Sequence, residues 1–333
     1  MSAVWRWGIV GYGWVARDYM APAIKAAGGK LSAVADPSSN ARKRAEEEGA
    51  AAYSSIEELL EHEPLDAVYI ASPNHLHAEA VERVAEREIP ILCEKPLAHD
   101  AQGVDRIAQV AGQKGVFIAT AFDQRHHPAH EVIRKEIELG SIGVPTAIRI
   151  VYCCWVDPQF NRGTGENWRA DGAAAGGGAV LDLAPHGLDL AEFLLREPVE
   201  RMSIVLQRRI HAYDVEDGGV IAGITRSGVL FSSHLSYNWP EALPRRRLEV
   251  AGNRGMIVAS DTMGQDAGGH VTLLSADGGR KELVFDKDVS PFERQANAFH
   301  DMLAGRSHDF DIARDVAGAR RFFDAYDGAR QCL

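Results

Sequence analysis

No apolar run in this chain approaches the roughly 20 residues that a membrane-crossing helix needs, so no spanning segment is expected. An excess of basic charge is missing too. The 36 lysines and arginines stand against 47 aspartates and glutamates, a net charge of −11, which speaks against nucleic acid or an anionic membrane as partner. A phosphate-bearing small molecule stays open, because its recognition is local. The N-terminal MSAVWRWGIVGYG has no basic n-region, long apolar core or small-residue cleavage site, so the expected compartment is the cytoplasm.

Cysteine is scarce, with Cys93, Cys153, Cys154 and Cys332 the four in the chain. No C-x-x-C or other metal-ligand spacing occurs, and neighbours such as Cys153 and Cys154 point to opposite faces of a strand, where one zinc cannot use both. Reduced, structural thiols are expected. His75 and His77 have a zinc-like spacing, but no cysteine or carboxylate cluster joins them. Turn and helix-start roles are expected instead, and no metal.

What is present is an ordinary globular mix, 46% hydrophobic and 25% charged, with no sign of disorder. At 333 residues the chain is long enough for two cores. Up to residue 122, short β-rich runs at 5–10, 31–35, 51–53, 67–71, 89–93 and 116–122 alternate with amphipathic stretches at 40–48, 56–63, 77–87 and 101–113. That rhythm predicts β-α-β crossovers and a doubly wound parallel sheet, a Rossmann domain over residues 1–123. Beyond it, helices are predicted near 128–139, 180–195, 291–304 and 312–330. Strands are predicted at 146–155, 202–210, 219–225, 229–236 and 247–251, within a strand-rich stretch running to 285. Strands in succession without helices between them predict an open, mostly antiparallel sheet, so residues 124–333 read as an α+β domain.

Gly11-Tyr12-Gly13-Trp14-Val15-Ala16 follows the first strand and opens a helix, fitting G-x-G-x-x-G/A. Gly11 permits the tight turn, Gly13 lets the backbone approach a pyrophosphate, and Ala16 is small enough for close helix–strand packing. The helix start supplies free N–H groups and a positive dipole end. Asp36 ends the second strand about 20 residues on, where a carboxylate can accept both ribose hydroxyls and repel a 2′-phosphate. NAD is therefore expected, with NADP possible. The competing reading makes Asp36 an N-cap. Arg42, Lys43 and Arg44 could neutralise a phosphate but read better as a solvated helix face.

Ser72-Pro73-Asn74-His75-Leu76-His77 and Glu94-Lys95-Pro96 lie just past the fourth and fifth strands, at the rim where open parallel sheets bind ligands. Asn74 could reach the nicotinamide ribose or carboxamide, and Lys95 faces the cleft. Farther on, Trp168-Arg169-Ala170-Asp171 precedes a Gly176-Gly177-Gly178 run and the helix carrying Asp182 and His186. Their i, i+4 spacing puts both on one face. Leu181, Leu188 and Leu195 leave a core role for His186 as the alternative.

Taken in order, GYGWVA at 11–16, Asp36, SPNHLH at 72–77, EKP at 94–96, QRHHP at 124–128, GSIGVP at 140–145 and the WR-x-D…GGG-x-x-x-D-x-x-x-H run at 168–186 resemble the glucose–fructose oxidoreductase / inositol dehydrogenase (Gfo/Idh/MocA) family. The resemblance covers essentially the whole chain; Ala184 stands where the family usually has glycine. It implies Lys95, Asp182 and His186 as catalytic constellation, a cis Lys95–Pro96 bond, and an open sheet face used to form a homo-dimer or homo-tetramer. The expected dinucleotide contacts are Gly11, Gly13, Trp14, Val15, Ala16, Asp36, Ser72, Asn74, His77, Glu94 and Lys95.

The reaction so implied moves a hydride between nicotinamide and a carbinol carbon of a sugar, cyclitol or polyol. A histidine suits the accompanying proton exchange near neutral pH. His186 is expected as general acid/base and Lys95 as the cation beside the substrate oxygen, although the two could exchange parts. Asp182 would orient the substrate and hold a charge partner. Arg125, Trp168 and Arg169 are expected at the substrate mouth. Two rivals keep the same fingerprint: a glycoside-cleaving enzyme that recycles NAD, and a dinucleotide sensor without chemistry.

Overall fold

The structure, a computed structural model, describes residues 4–157 and 167–331. Cys332 and the 158–166 part of the loop before Trp168 lie outside the described residues. Strand β1 (Arg6–Val10) is buried along nearly its whole length, as a central parallel strand covered on both faces must be. The first helix opens with a π-helical turn, Ala16–Met20, before α1 (Ala21–Ala26), and Ala21 N–H donates to Ala16 O. Pro22 has no N–H to offer the regular ladder, which accounts for a local change of register here.

The chain continues through β2 (Lys30–Ala35), α2 (Ser39–Glu47), β3 (Ala51–Tyr53), α3 (Ile56–His62), β4 (Ala67–Ile70), α4 (His77–Ala85), β5 (Ile91–Cys93), α5 (Ala101–Lys114) and β6 (Ile118–Thr120). Side chains of Ser38, Ser55 and Asp100 accept backbone N–H bonds at the starts of α2, α3 and α5, so those helices begin where their caps sit. All pairings are parallel, in the order β3-β2-β1-β4-β5-β6. The order reverses between β1 and β4, which opens a crevice at their carboxyl ends.

A 3-10 turn (Asp123–His126) leads into α6 (Pro128–Glu138), β7 (Pro145–Cys153), a short α7 (Gly172–Ala175) and the long α8 (Ala179–Leu195). Then come β8 (Val199–Gln207), β9 (Gly218–Thr225), β10 (Leu230–Ser236), β11 (Arg246–Gly252), β12 (Gly255–Ser260), β13 (His270–Ser275) and β14 (Arg280–Glu282). They form a sheet ordered β14-β13-β12-β11-β7-β10-β9-β8, antiparallel except for β7 with β10. Strand β8 ends earlier than its apolar pattern predicts. The Asp217 carboxylate accepts the N–H groups of Arg209, Ile210 and His211 and draws them off the ladder.

Helix α8 packs on one face of this sheet. The outer face is open, with Val205 and Val220 exposed and directly opposite each other on β8 and β9. Helix α9 (Pro291–Leu303) returns to the N-terminal layer, where Phe299 packs 5.0 Å from the Trp7 ring and Trp7 Nε1 donates to His300 Nε2 at 2.9 Å. The last helix, α10 (Ile312–Arg330), lies against both α5 and β8 and bridges the two layers. Among the described residues no helix is long and apolar enough to cross a membrane.

Candidate active site

A cleft of about 840 Å³ runs from the carboxyl ends of β1, β2, β4 and β5 to the N-terminal half of α8. At its first end Gly11 takes φ +87°, and a Cβ there would lie 2.6 Å from the Ser72 backbone nitrogen. A side chain cannot be accommodated. Gly13 faces the cleft instead, with nothing within 4 Å of where its Cβ would stand. No side chain caps the helix start that follows. An open cradle, a helix N-terminus and an orphaned buried hydroxyl, Ser72 Oγ, fit a dinucleotide pyrophosphate arriving from the cleft side. Trp14, Val15 and Ala16 line the same end.

Asp36 is locked at the tip of β2. Its carboxylate accepts N–H bonds from Tyr12 (2.7 Å) and Ser38 (2.8 Å), and the α2 cap is Ser38, not Asp36. The side chain lines the cleft. Arg42 is spent on the carbonyls of Asp36 and Pro37 and, like Lys43 and Arg44, does not line it. Asn74 is buried at the crevice, its Nδ2 donating to Ala175 O, so it also ties this rim to the glycine-rich loop. His77, expected as a cofactor contact, lines the cleft with its ring buried. Its ring nitrogens lie 2.8 and 3.0 Å from the carbonyls of Ser72 and Pro96, and burial pushes its pKa down to about 4 against both. As a neutral ring it carries a single N–H and donates to one of these two carbonyls.

Lys95 leaves the end of β5 through a cis Lys95–Pro96 bond, as the family resemblance implied. Its Nζ donates to Asp182 Oδ1 at 2.5 Å and to Asp182 O at 3.1 Å. Tyr237, at the end of β10, donates to Asp182 Oδ2 at 2.5 Å. Burial alone would raise the Asp182 pKa, but Lys95, Arg169 and Tyr237 hold it far below the usual carboxylate range. Glu94 goes the other way. Burial pushes it up to about 7, although Lys95 and the Tyr69 hydroxyl that donates to it pull down.

His186, one turn along α8, lines the cleft together with Asp182, as a shared helix face predicts, and has a carboxylate partner of its own. Its Nδ1 lies 3.3 Å from Asp123 Oδ1, in ion-pair range but off the line of a straight hydrogen bond. Burial raises Asp123, yet His186, Lys95 and Gln124 leave it below its ordinary value. The glycine run before α8 makes this approach possible: a Cβ on Gly178 would strike the Glu216 carbonyl, so the helix start could not seat there with a larger residue.

Fifteen expected residues thus meet in one cleft: Gly11, Gly13, Trp14, Val15, Ala16, Asp36, Ser72, Asn74, His77, Glu94, Lys95, Trp168, Arg169, Asp182 and His186. Arg125 does not. It is turned away from the cleft, its Nη2 2.6 Å from Asp189, because a guanidinium buried on that side needs a carboxylate partner. Sequence reasoning missed Asp123, Tyr237 and Tyr152, whose ring meets His186 edge-on at 5.5 Å. Asp123 had a signal, since it directly follows the last parallel strand at the ligand-binding rim. Tyr237 had none, because no comparable rule marks strand ends in the second, mixed sheet.

A Rossmann sheet whose crevice runs from a glycine cradle to a Lys–Asp–Tyr and Asp–His cluster defines a nicotinamide-dinucleotide-dependent oxidoreductase. Residues 5–122 match the Gfo/Idh/MocA oxidoreductase family with its NAD-binding Rossmann fold, and residues 130–258 match the GFO/IDH/MocA C-terminal domain. The chain is 31% identical over 314 residues to 1,5-anhydro-D-fructose reductase of Ensifer adhaerens, covering 93% of this chain and 91% of that one. It is 29% identical to dTDP-3,4-didehydro-2,6-dideoxy-alpha-D-glucose 3-reductase of Streptomyces violaceoruber over 98% and 94% of the two chains. The fold superposes on levoglucosan dehydrogenase in complex with NADH and levoglucosan with TM-score 0.86 at 21% identity, covering 99% and 98%. The chain belongs to the Gfo/Idh/MocA family of oxidoreductases.

Proposed function

We propose that the protein interconverts a hydroxyl and a carbonyl on a sugar, cyclitol or related polyol, using NAD in preference to NADP. The observation that carries the reading is the meeting of two independently anchored groups, Lys95 on Asp182 and His186 against Asp123, at the far end of the dinucleotide cleft. Bound nicotinamide supplies the hydride acceptor or donor. Asp123 engages His186 Nδ1 and leaves Nε2 to exchange the proton of the reacting hydroxyl. The Lys95 ammonium stabilises negative charge building on that oxygen. Asp182, itself held by Tyr237, fixes where the ammonium sits. Trp168 offers an apolar face to a sugar ring.

Relatives named for 1,5-anhydro-D-fructose, levoglucosan and myo-inositol support the substrate class. Asp36 lining the cleft, with Arg42 spent on carbonyls, supports NAD. The open sheet face, with its exposed Val205–Val220 pair, supports self-association as a homo-dimer or homo-tetramer. The test is cofactor reduction by the purified protein across sugars, inositols and sugar acids, with NAD and NADP supplied separately. Stoichiometric NADH formation with at least one polyol is the expected result. Silence across the panel, in both the oxidative and the reductive direction, contradicts the reading.

A further inference from the structure

Two guanidinium groups in the substrate half of the cleft carry no ion pair among the described residues. Arg169 lies over Trp168, its Cζ 4.4 Å from the ring centroid, and Arg246 lies over Tyr152 at 5.6 Å. Among the described residues neither donates a hydrogen bond or has a carboxylate within 4.0 Å, and Arg246 Nε is buried without a partner. The nearby carboxylates are engaged elsewhere: Glu241 with Arg245, Asp182 with Lys95 and Tyr237, Asp123 with His186. Asp266 also lines the cleft and pairs with neither arginine.

Stacking uses the face of a guanidinium and leaves its edge of N–H donors free. Donors taken from water without an acceptor are costly, and the cost is relieved when an acceptor arrives with the substrate. The two edges also bracket the reaction centre. Tyr152, beneath Arg246, touches His186, and the charge of Arg169 acts on Asp182 and Tyr237. Planar forks of this kind match carboxylate and phosphate oxygens in pairs.

We propose that the polyol substrate is anionic, carrying a carboxylate or phosphate ester held by Arg169 and Arg246 while a neutral hydroxyl reacts between Lys95 and His186. This rests on the polyol-oxidoreductase reading above. The anionic group takes no part in the redox step: the carbinol hydride passes to nicotinamide, the hydroxyl proton to His186, and the carbon becomes a carbonyl.

The test compares kcat/KM, with NAD and with NADP, for a neutral aldose, the matching uronic acid and the matching sugar 6-phosphate. Wild type is expected to prefer one anionic form by roughly tenfold or more, the scale of a hydrogen bond to a charged group. Whether the acid or the phosphate wins identifies the anion. Arg169→Gln and Arg246→Gln should each shrink the anionic-to-neutral ratio by about tenfold, mainly through KM, and Arg246→Lys should keep part of it. A neutral aldose used as well as or better than both anions overturns the proposal and leaves the polyol reading standing. A preference that survives in both glutamine variants does the same. If no sugar, charged or neutral, reduces either cofactor, the proposal falls, and the polyol reading falls with it only when inositols and the reductive direction are silent as well.

Discussion

Asp123 and His186 face each other across the junction of the two layers, 3.3 Å apart, one from the turn after the last parallel strand and one from α8. In the mechanism proposed above, the Asp123 carboxylate beside Nδ1 would stabilise the imidazolium formed when Nε2 takes a proton. Asp123→Asn keeps the shape and removes the charge. Turnover should fall by about 10²-fold, toward the lower end of what losing acid–base catalysis costs. Steady-state kinetics on the variant check this, and a variant within threefold of wild type would separate Asp123 from the chemistry.

Lys95 and Asp182 form a largely buried pair, with side chains 12% and 22% exposed. Lys95→Met strands the carboxylate and should cost roughly 3 kcal/mol or less, because Tyr237 and Arg169 remain beside it. Adding Asp182→Asn should restore most of that stability without restoring turnover. Urea unfolding and activity of the single and double variants separate the two roles. A double variant that recovers activity along with stability would make the pair merely structural.

Asp36→Ala removes a carboxylate that lines the cleft at the end of β2. It should weaken NAD binding and narrow the gap to NADP. Fluorescence titration with both cofactors measures the ratio, and wild type binding NADP more tightly would refute the NAD preference.

Glu94 gives a stability test with a defined sign. Its folded pKa of about 7 lies above the ordinary value for glutamate, chiefly through burial, so the fold favours the protonated form. That contribution is complete below the unfolded pKa, near 4.3, and is lost as pH rises through about 7. Glu94→Gln stays neutral throughout. The Tm of wild type minus that of Glu94→Gln, measured without cofactor, should therefore fall between pH 5 and pH 8. A flat or rising difference would mean that the carboxylate is at ease as an anion.

Much of this was legible in the sequence because parallel sheets obey positional rules. GYGWVA, Asp36, Asn74 and Lys95 each follow a strand whose carboxyl end had to face the crevice, and the structure brings them there. What stayed hidden were the partners brought close by the fold. Spacing put Asp182 and His186 on one face of α8, and the fold supplies a separate partner for each, Lys95 for one and Asp123 for the other. Arg125 looked like a mouth residue because it adjoins the junction, and only the position of Asp189 on α8 shows why it turns inward. Tyr237 and Arg246 reach the site from the second sheet, more than 200 residues beyond the fingerprint, where no local pattern marks an active-site position.

The central claim is that His186 exchanges the substrate proton, and the pH dependence of polyol oxidation by wild type and His186→Asn tests it most directly. Wild type should gain rate with rising pH along a limb set by one ionisation, because the unprotonated imidazole is the base. His186→Asn should lose that limb and roughly 10²–10⁴ in turnover, with NAD affinity and Tm little changed. A variant that keeps the limb and its turnover per folded molecule, yet melts far earlier, would make His186 a core histidine and contradict the account.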